Sequence, residues 1–391
     1  MNQLAAHWTL DPEVDFLNHG SFGACPTSVL VEQRRLRDEL ERQPVEFLAR
    51  RHEALFESAR TELAAFVGAR PRDLVAVTNA TTGVNTVLAS LGASPGDEVL
   101  VTDHGYNACR NALETFAERT GARIVEVPLP FPVTREEDVV DRVLAAVTPR
   151  TTLALLDHVT SPTALVLPLE ELVPALEGRG VRTLVDGAHA PGMIELDLDA
   201  LGASFYTGNG HKWLCAPKGA AFLHVREEHQ SEIHPLVVSH GANTRREGRS
   251  LFHDEFDWTG THDPTPFLCL PTALEALASM VDGGWMEVRA RNRALALEAR
   301  ALLVDELGLE FACPDSMIGS IASLALPGEV PRQETPSTDP LVLELVREEQ
   351  IEVVVSRWPA LGQRILRISA QLYNSIEQYE RLAGALSRRL T

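Results

Sequence analysis

The residues of this chain best suited to covalent chemistry are its only two lysines, Lys212 and Lys218, which lie in GNGHKWLCAPKG (208–219). The remaining 33 of the 35 basic residues are arginines. Arginine keeps its proton at any pH of interest, whereas a desolvated lysine can lose it. An unprotonated amine is what a Schiff base with a carbonyl compound requires. Lys212 is the stronger candidate, because Lys218 lies between Pro217 and Gly219, where a turn is expected.

A carboxylate is predicted at the end of a buried strand, where the apolar run RTLVD (182–186) ends in Asp186. Such a position is unfavourable for a charge unless a cation meets it. The alternative is that Asp186 caps the turn or helix that follows. Asp186 precedes Lys212 by 26 residues, so the two could meet at one edge of a sheet.

Two further strand ends carry residues that suit a ligand. TNATTGVNTVL (78–88) places Thr81 and Thr82 at a strand-to-helix turn, where backbone N–H groups and the helix dipole favour an anion such as phosphate. It is neither a Walker A loop nor G-x-G-x-x-G, and an N-capping threonine would give the same pattern. Tyr106, in TDHGYNA, could stack on a planar ring or pack over a helix start.

Arg367 interrupts the otherwise apolar strand of ILRISAQLYNS. A buried arginine needs an anion, and its planar guanidinium matches a carboxylate. That carboxylate could belong to a substrate or to an ion pair within the protein.

Short β-branched runs alternate with helical stretches between residues 74 and 225, which predicts a mostly parallel sheet covered by helices on both faces. Ligands of such sheets bind beyond the carboxyl ends of the strands. The predicted strands are 73–78, 97–102, 122–127, 151–157, 182–186 and 219–225.

The flanking segments predict the rest of an α/β fold. Residues 26–67 and 266–310 are helical in pattern, and 226–265 is a polar stretch that predicts a long connection. Strands at 320–326, 351–356 and 364–369, a loop at 327–340 and a helix from about 375 predict a smaller α+β domain. The predicted organisation is an N-terminal segment (1–25) joining the small domain and active site, a large domain (26–265) and a small C-terminal domain (266–391).

Composition excludes several classes of function. A net charge of −20 and a pI near 5.1 argue against a broad nucleic-acid surface and against docking to an anionic membrane. No apolar run of about 18 residues is present, and the N-terminus lacks the pattern of a signal peptide. The five scattered cysteines predict free thiols in a reducing compartment, so we expect a cytoplasmic protein. No metal site is predicted.

These residues occur in an order that resembles the fold type I pyridoxal 5′-phosphate (PLP) enzymes of aminotransferase class V, and the strings VDGAHAPG, GHKWL and LRISAQLYN carry the likeness. FLNHGSFGACP (16–26), DHVTSPTALVLP (157–168) and DGAHAPGMIELDL (186–198) are most similar to the isopenicillin N epimerase-like group. The resemblance implies the PLP-transferase fold, the cofactor PLP and a homodimer.

The resemblance also implies a role for each matching residue. Lys212 would bind PLP covalently, and Asp186 would keep its pyridine nitrogen protonated. The remaining implied contacts are Tyr106 stacked on the ring; His189 and Ser161 near its phenolic oxygen; Thr81, Thr82, Asn209 and His211 at the phosphate; Thr261 at the phosphate of a neighbouring subunit; Arg367 at the substrate α-carboxylate; and Asn18 and His19 near the substrate.

The implied chemistry begins with removal of the substrate Cα proton by the amine of Lys212. Epimerisation, C–S lysis and transamination can all follow from that step, and a PLP-binding protein without turnover is the remaining alternative. We expect an epimerase first and a C–S lyase second. An epimerase needs an acid on the opposite face, for which Tyr106 and His19 are candidates. SRWPALGQRILR (356–367) lacks the catalytic cysteine that cysteine desulfurases place in this region, so persulfide transfer is not expected.

Overall fold

The computed structural model describes residues 2–328, 339–358 and 363–390. The middle of the predicted loop at 327–340 lies outside these residues, as does part of the segment that precedes Arg367.

Strands and helices alternate through most of the described chain. The strands are β1 Asp15–Phe16, β2 Leu74–Val77, β3 Glu98–Thr102, β4 Arg123–Val127, β5 Thr151–Asp157, β6 Arg182–Gly187, β7 Phe205–Asn209, β8 Ala221–Val225, β9 Ile321–Leu326, β10 Ile351–Glu352, β11 Val354–Arg357 and β12 Arg364–Ser369. The α-helices are α1 His19–Phe22, α2 Thr27–Arg42, α3 His52–Val67, α4 Ala80–Ser90, α5 Asn107–Thr120, α6 Glu136–Ala145, α7 Leu169–Glu177, α8 Leu198–Leu201, α9 Leu251–Phe256, α10 Thr265–Leu268, α11 Leu270–Ser279, α12 Gly284–Leu307, α13 Pro340–Glu349 and α14 Ile376–Ser387.

A seven-stranded sheet in the order β2-β8-β7-β6-β5-β3-β4 forms the centre of the larger part of the molecule. Its strands are parallel except β8, which runs antiparallel to both β2 and β7. Alternate residues face opposite sides: Leu155 and Leu184 pack under α4 and α5, while Leu156 and Val185 face the other hydrophobic core. The predicted mostly parallel, doubly covered sheet is confirmed.

Strand β7 is missing from the strands predicted from the sequence, and the structure corrects this omission. The string FYTGN lacks a β-branched run, yet all five residues are buried between β6 and β8. Gly208 allows this packing, because a Cβ there would lie 2.7 Å from both Phe222 and Pro191. As a result, Lys212 follows a central strand directly.

Residues 226–265 also differ from the predicted long connection, because they contain the helix α9. Phe252 and Phe256 are four positions apart and pack on one hydrophobic core, which accounts for this short helix. One histidine and two acidic residues lie between them and make the apolar pattern hard to recognise.

The smaller part contains the antiparallel sheet β11-β12-β9, as the predicted α+β arrangement requires. The predicted strand 351–356 divides into two: β10 pairs with β1 of the N-terminal segment, and β11 pairs with β12. Helix α12 contacts α14 and β9, whereas α11 contacts α2 and α3. The domain limits at 25 and 265 stay predictions. Among the described residues, no helix has the length and apolar character needed to cross a bilayer.

Candidate active site

Asp186 lies at the carboxyl edge of the large sheet, near the end of β6, and is 4% exposed. Its Oδ1 accepts a hydrogen bond from the Ala188 N–H at 3.0 Å. Its Oδ2 accepts one from the thiol of Cys109, also at 3.0 Å. Donors at both oxygens favour the ionised carboxylate, which can attract a cationic ligand group.

Lys212 follows β7 by three residues and reaches the same edge. Its Nζ lies 2.9 Å from Nε2 of the buried His189. The residue as a whole is half-buried. Burial of its amine, and then the positive charge of Arg367, lowers the pKa of Lys212 to about 7. Burial, and then the charge of Lys212, lowers the pKa of His189 well below its usual range. His189 is therefore neutral and can accept from the lysine at Nε2. Nδ1 of His189 is buried and meets no partner among the described residues.

The N-terminal segment holds the turn that carries Lys212. His19 is fully buried, with Nε2 3.0 Å from the Lys212 carbonyl oxygen and Nδ1 2.9 Å from the Tyr373 hydroxyl. Burial lowers the pKa of His19 to about 3, so its ring is neutral. The ammonium of Lys218 donates to the Gly23 carbonyl at 2.9 Å. The second lysine thus fastens the segment to the turn that bears the first.

These contacts bear on the predicted role of His19 as the second acid. Both of its ring nitrogens are engaged by the protein in this structure, and its ring is neutral. The place of His19 near the substrate stays a prediction. Asn18 is 8% exposed, and its Oδ1 accepts from the Ser21 hydroxyl at 2.6 Å.

Arg367 lies on β12, is 4% exposed and faces the large sheet across the site. It donates to Ser161 at the carbonyl (2.6 Å) and hydroxyl (3.1 Å), and to the Ser21 hydroxyl (3.1 Å). Among the described residues no carboxylate pairs with it, and its Nε is buried without a partner. Burial lowers the pKa of Arg367 to about 10, so it remains charged at neutral pH. An uncompensated buried cation of this kind calls for an anionic ligand.

The N-terminus of α4 carries the residues of the predicted anion site. Asn79 caps the helix by accepting the Thr82 N–H at 2.8 Å, and the Thr82 hydroxyl lies 2.9 Å from that of Thr78. Asn209 Oδ1 accepts the Ala80 N–H at 2.8 Å, so this side chain joins β7 to the helix start. Thr81 lies half-buried in the first turn. The Ala80 and Thr82 N–H groups are thus engaged by side chains, and the Thr81 N–H and the threonine hydroxyls are the groups of this turn that suit a phosphate.

Three further residues that were predicted to contact the cofactor are at least partly exposed to solvent. His211 bonds the Ala220 carbonyl through Nδ1 at 2.9 Å, and burial lowers its pKa to about 4. Tyr106 precedes α5 and is 43% exposed. Thr261 is exposed and lines a cavity of about 590 Å³ together with Thr82 and Lys218.

Sequence reasoning missed Cys109, Ser21 and Asp157 as parts of this site. Cys109 was treated only as a free thiol, and Ser21 lies in a segment with no periodic pattern. The available signal for Asp157 was its position at the end of the apolar run TTLALLD, which repeats the pattern of Asp186.

A cluster of two aspartates and one histidine lies outside this site. Ligand atoms of Asp73, Asp199 and His224 lie within 4.8 Å of one another. Arg70 bonds Asp73 at 2.7 Å, so a guanidinium already supplies positive charge there.

Lys212 with its lowered pKa, the buried Asp186 and the start of α4 meet at one edge of the large sheet, and Arg367 lies opposite them on β12. This arrangement is that of a fold type I PLP enzyme. The residues fit this cofactor: the amine suits its aldehyde, Asp186 its pyridine nitrogen, and the unpartnered Nδ1 of His189 leaves a donor for a ring substituent.

Comparisons with known proteins support this assignment to the PLP enzymes. The family model "Aminotransferase class-V" matches residues 39–382. Isopenicillin N epimerase of Streptomyces clavuligerus is 36% identical over 391 residues, covering 96% of this chain and 95% of that protein. The probable chloroplastic L-cysteine desulfhydrase of Arabidopsis thaliana is 31% identical over 404 residues, covering 96% and 83%. A solved C-DES mutant with glycine covalently linked to the PLP cofactor aligns with a TM-score of 0.78 at 22% identity, covering 96% and 97%. The chain belongs to the aminotransferase class V family, and it is a PLP-dependent enzyme.

Gly23→Ala tests whether the N-terminal segment positions Lys212. Gly23 has a φ of 72°, and a Cβ would overlap the His211 carbonyl oxygen, so alanine must push the segment away from the lysine turn. We expect PLP affinity to fall about tenfold or more, since the left-handed backbone alone costs about 1–2 kcal/mol. The measurement is PLP titration of the apoenzyme. Gly92→Ala is the matched control, because a Cβ there meets nothing within 4 Å. Equal affinity in the two variants would contradict this role.

Proposed function

We propose that this enzyme removes the Cα proton of an amino-acid substrate, with the ε-amine of Lys212 as the base. The observation that carries the proposal is the state of that amine, whose pKa is lowered to about 7 by burial and which lies 2.9 Å from the neutral ring of His189. A general base works best when its pKa lies near the working pH. An ordinary exposed lysine would be protonated there.

When bound, PLP supplies an aldehyde for the substrate amine and a ring that withdraws electrons from Cα. Lys212, Asp186, His189 and the first turn of α4 are the residues that would hold it. Asp186, hydrogen-bonded at both oxygens, would keep a proton on the ring nitrogen. Tyr106 would cover the ring.

Arg367 is the proposed binding group for the substrate carboxylate. Its guanidinium is buried and charged, and the described residues offer it hydroxyls and a carbonyl rather than a carboxylate. A substrate carboxylate would balance this charge and orient the Cα–H bond toward Lys212. Ser161 and Ser21 hold the guanidinium in place for that contact.

Epimerisation is the reaction we propose for this site. Support comes from the isopenicillin N epimerase of Streptomyces clavuligerus, which is 36% identical over nearly the full length of both chains. The second proton donor in this proposal is Tyr106, because His19 is neutral and has no free ring nitrogen.

A C–S lyase is the second candidate, and the engagement of His19 favours it. A lyase needs one base and a leaving group on Cβ, so it requires no acid on the opposite face. The similarity to the probable L-cysteine desulfhydrase of Arabidopsis thaliana also supports this reaction.

Incubation in heavy water separates these reactions. The holoenzyme is given isopenicillin N, L-cysteine or cysteine S-conjugates, and products are read by mass spectrometry and chiral chromatography. Epimerisation predicts Cα deuterium with inverted configuration and no pyruvate. Pyruvate with ammonia and a thiol or sulfide identifies a lyase, and an intact 2-oxo acid identifies an aminotransferase.

Cα exchange should fall about 10²–10⁴-fold in Lys212→Ala, since this is the usual contribution of a general base. Lys218→Arg is the control, because it removes the other lysine while keeping a cation that can donate to the Gly23 carbonyl. Absence of Cα exchange with every substrate, in a wild-type enzyme that retains PLP, would contradict the proposed reaction class.

We also propose that the active enzyme is a homodimer in which Thr261 contacts the cofactor phosphate of the partner subunit. Thr261 is exposed beside a cavity that Leu236 and Val237 also line. Leu236, Val237 and Val238 are 49%, 58% and 76% exposed, and a contiguous apolar surface of this kind suits a protein partner.

Mixing two inactive variants tests this arrangement. Lys212→Ala lacks the base, and Thr261→Ala would lack the residue given to the partner. In a hybrid dimer, one site then combines an intact Lys212 with an intact Thr261 from the other chain. We expect co-refolding to restore activity and PLP binding at that site. If Thr261 acts within its own chain, no hybrid site is complete and the mixture stays as inactive as its parts.

A further inference from the structure

A buried carboxylate and a buried thiol lie beside Asp186 without a role in the chemistry described so far. Asp157 and Asp186 are register partners at the ends of β5 and β6, and adjacent strands lie about 4.8 Å apart. Asp157 is 5% exposed and Asp186 is 4% exposed. Cys109, in the first turn of α5, is 3% exposed and donates to Asp186 Oδ2 at 3.0 Å. The three groups therefore form one cluster on the α5 face of the sheet.

Two carboxylates this close in a buried site cannot both ionise readily, so the pair holds one proton. The hydrogen bonds indicate which of them keeps its charge, because both oxygens of Asp186 accept from donors. Burial, and then the charge of Asp186, raises the pKa of Asp157 well above its usual range. Burial and Asp186 also raise the pKa of the Cys109 thiol, so it remains a donor. The proton of the pair belongs on Asp157.

Asp157 also contacts the turn that leads to Tyr106. The backbone N–H of Tyr106 faces the Asp157 carboxyl and opposes the rise of its pKa. A Cβ added at Gly105 would lie 3.7 Å from Asp157 Oδ2. Asp157 therefore joins the two strand ends that carry Asp186 and the proposed ring-stacking residue.

We propose that Asp157 and Cys109 are positioning residues for Asp186, holding it as the one ionised carboxylate of the cluster. Cys109 acts through its S–H hydrogen bond, and Asp157 acts as a neutral acid that packs beside Asp186 without competing for the charge. Neither residue touches reacting atoms. The inference rests on the proposed contact between Asp186 and the cofactor ring nitrogen.

Paired substitutions test each half of this proposal. Asp157→Asn places a neutral group of nearly the same shape where a neutral acid is proposed, and Cys109→Ser keeps a donor. We expect both variants to bind PLP within about threefold of wild type. Cys109→Ala should weaken PLP binding about tenfold or more, since a lost hydrogen bond to a charged group is of that size. Asp157→Ala should also weaken PLP binding measurably, because it leaves a cavity beside Asp186 that lets the carboxylate shift. The measurement is the PLP dissociation constant of the apoenzyme by absorbance titration.

The contradicting results are equally specific. If Asp157→Asn binds PLP as weakly as Asp157→Ala, Asp157 acts through a negative charge and the proposal is wrong. If Cys109→Ser matches Cys109→Ala, the hydrogen bond has no role. Cys269→Ala, which removes another fully buried thiol, is the control and should bind PLP like wild type. If Cys269→Ala loses as much PLP affinity as Cys109→Ala, the effect of Cys109 is due to packing and not to its hydrogen bond. Thermal melting of each apoenzyme shows which variants are unfolded. If an alanine variant is unfolded, PLP binding by Asp157→Asn or Cys109→Ser still tests the proposal. Because no substrate is present, these results are independent of which reaction the enzyme performs.

Discussion

Desolvation of one amine is the constraint on which the rest of this site depends. An exposed Lys212 would carry a proton at neutral pH and could act neither as a nucleophile toward an aldehyde nor as a base. Burial beside Arg367 and against the neutral ring of His189 lowers its pKa to about 7. Arginine could not replace it, because a guanidinium does not lose its proton in proteins.

The fold achieves this desolvation by bringing together segments that are distant in sequence. The large sheet supplies Asp186 and the turn with Lys212, and β12 supplies Arg367. The N-terminal segment closes the site through His19, which contacts the Lys212 carbonyl and the Tyr373 hydroxyl. Pairing of β1 with β10 ties this segment to the C-terminal part of the chain. Truncation at the N-terminus would therefore affect the lysine directly, although the segment contributes no strand to the large sheet.

The sequence predicted those features that residue type and local pattern determine. β-branched runs indicated most strands of the large sheet, and rarity of lysine indicated Lys212. Strand β7 was missed because its glycine and polar residues give no apolar pattern. They are buried only because β6 and β8 lie on either side of them. Asp157 and Cys109 were missed for a related reason: their contact with Asp186 follows from strand register and the position of α5, which a linear pattern does not contain. The tertiary hydrogen bonds that engage both nitrogens of His19 could not be predicted either. The roles of the site residues, His19 included, stay predictions.

The most direct test is NMR of the apoenzyme with lysine-specific isotope labels, since the chain has only two lysines and gives two side-chain signals. We expect one signal to titrate near pH 7 and to disappear in Lys212→Arg. If both amines stay protonated until the pH approaches 10.5, the ordinary value for lysine, burial does not lower the pKa of Lys212 and the proposed base is wrong.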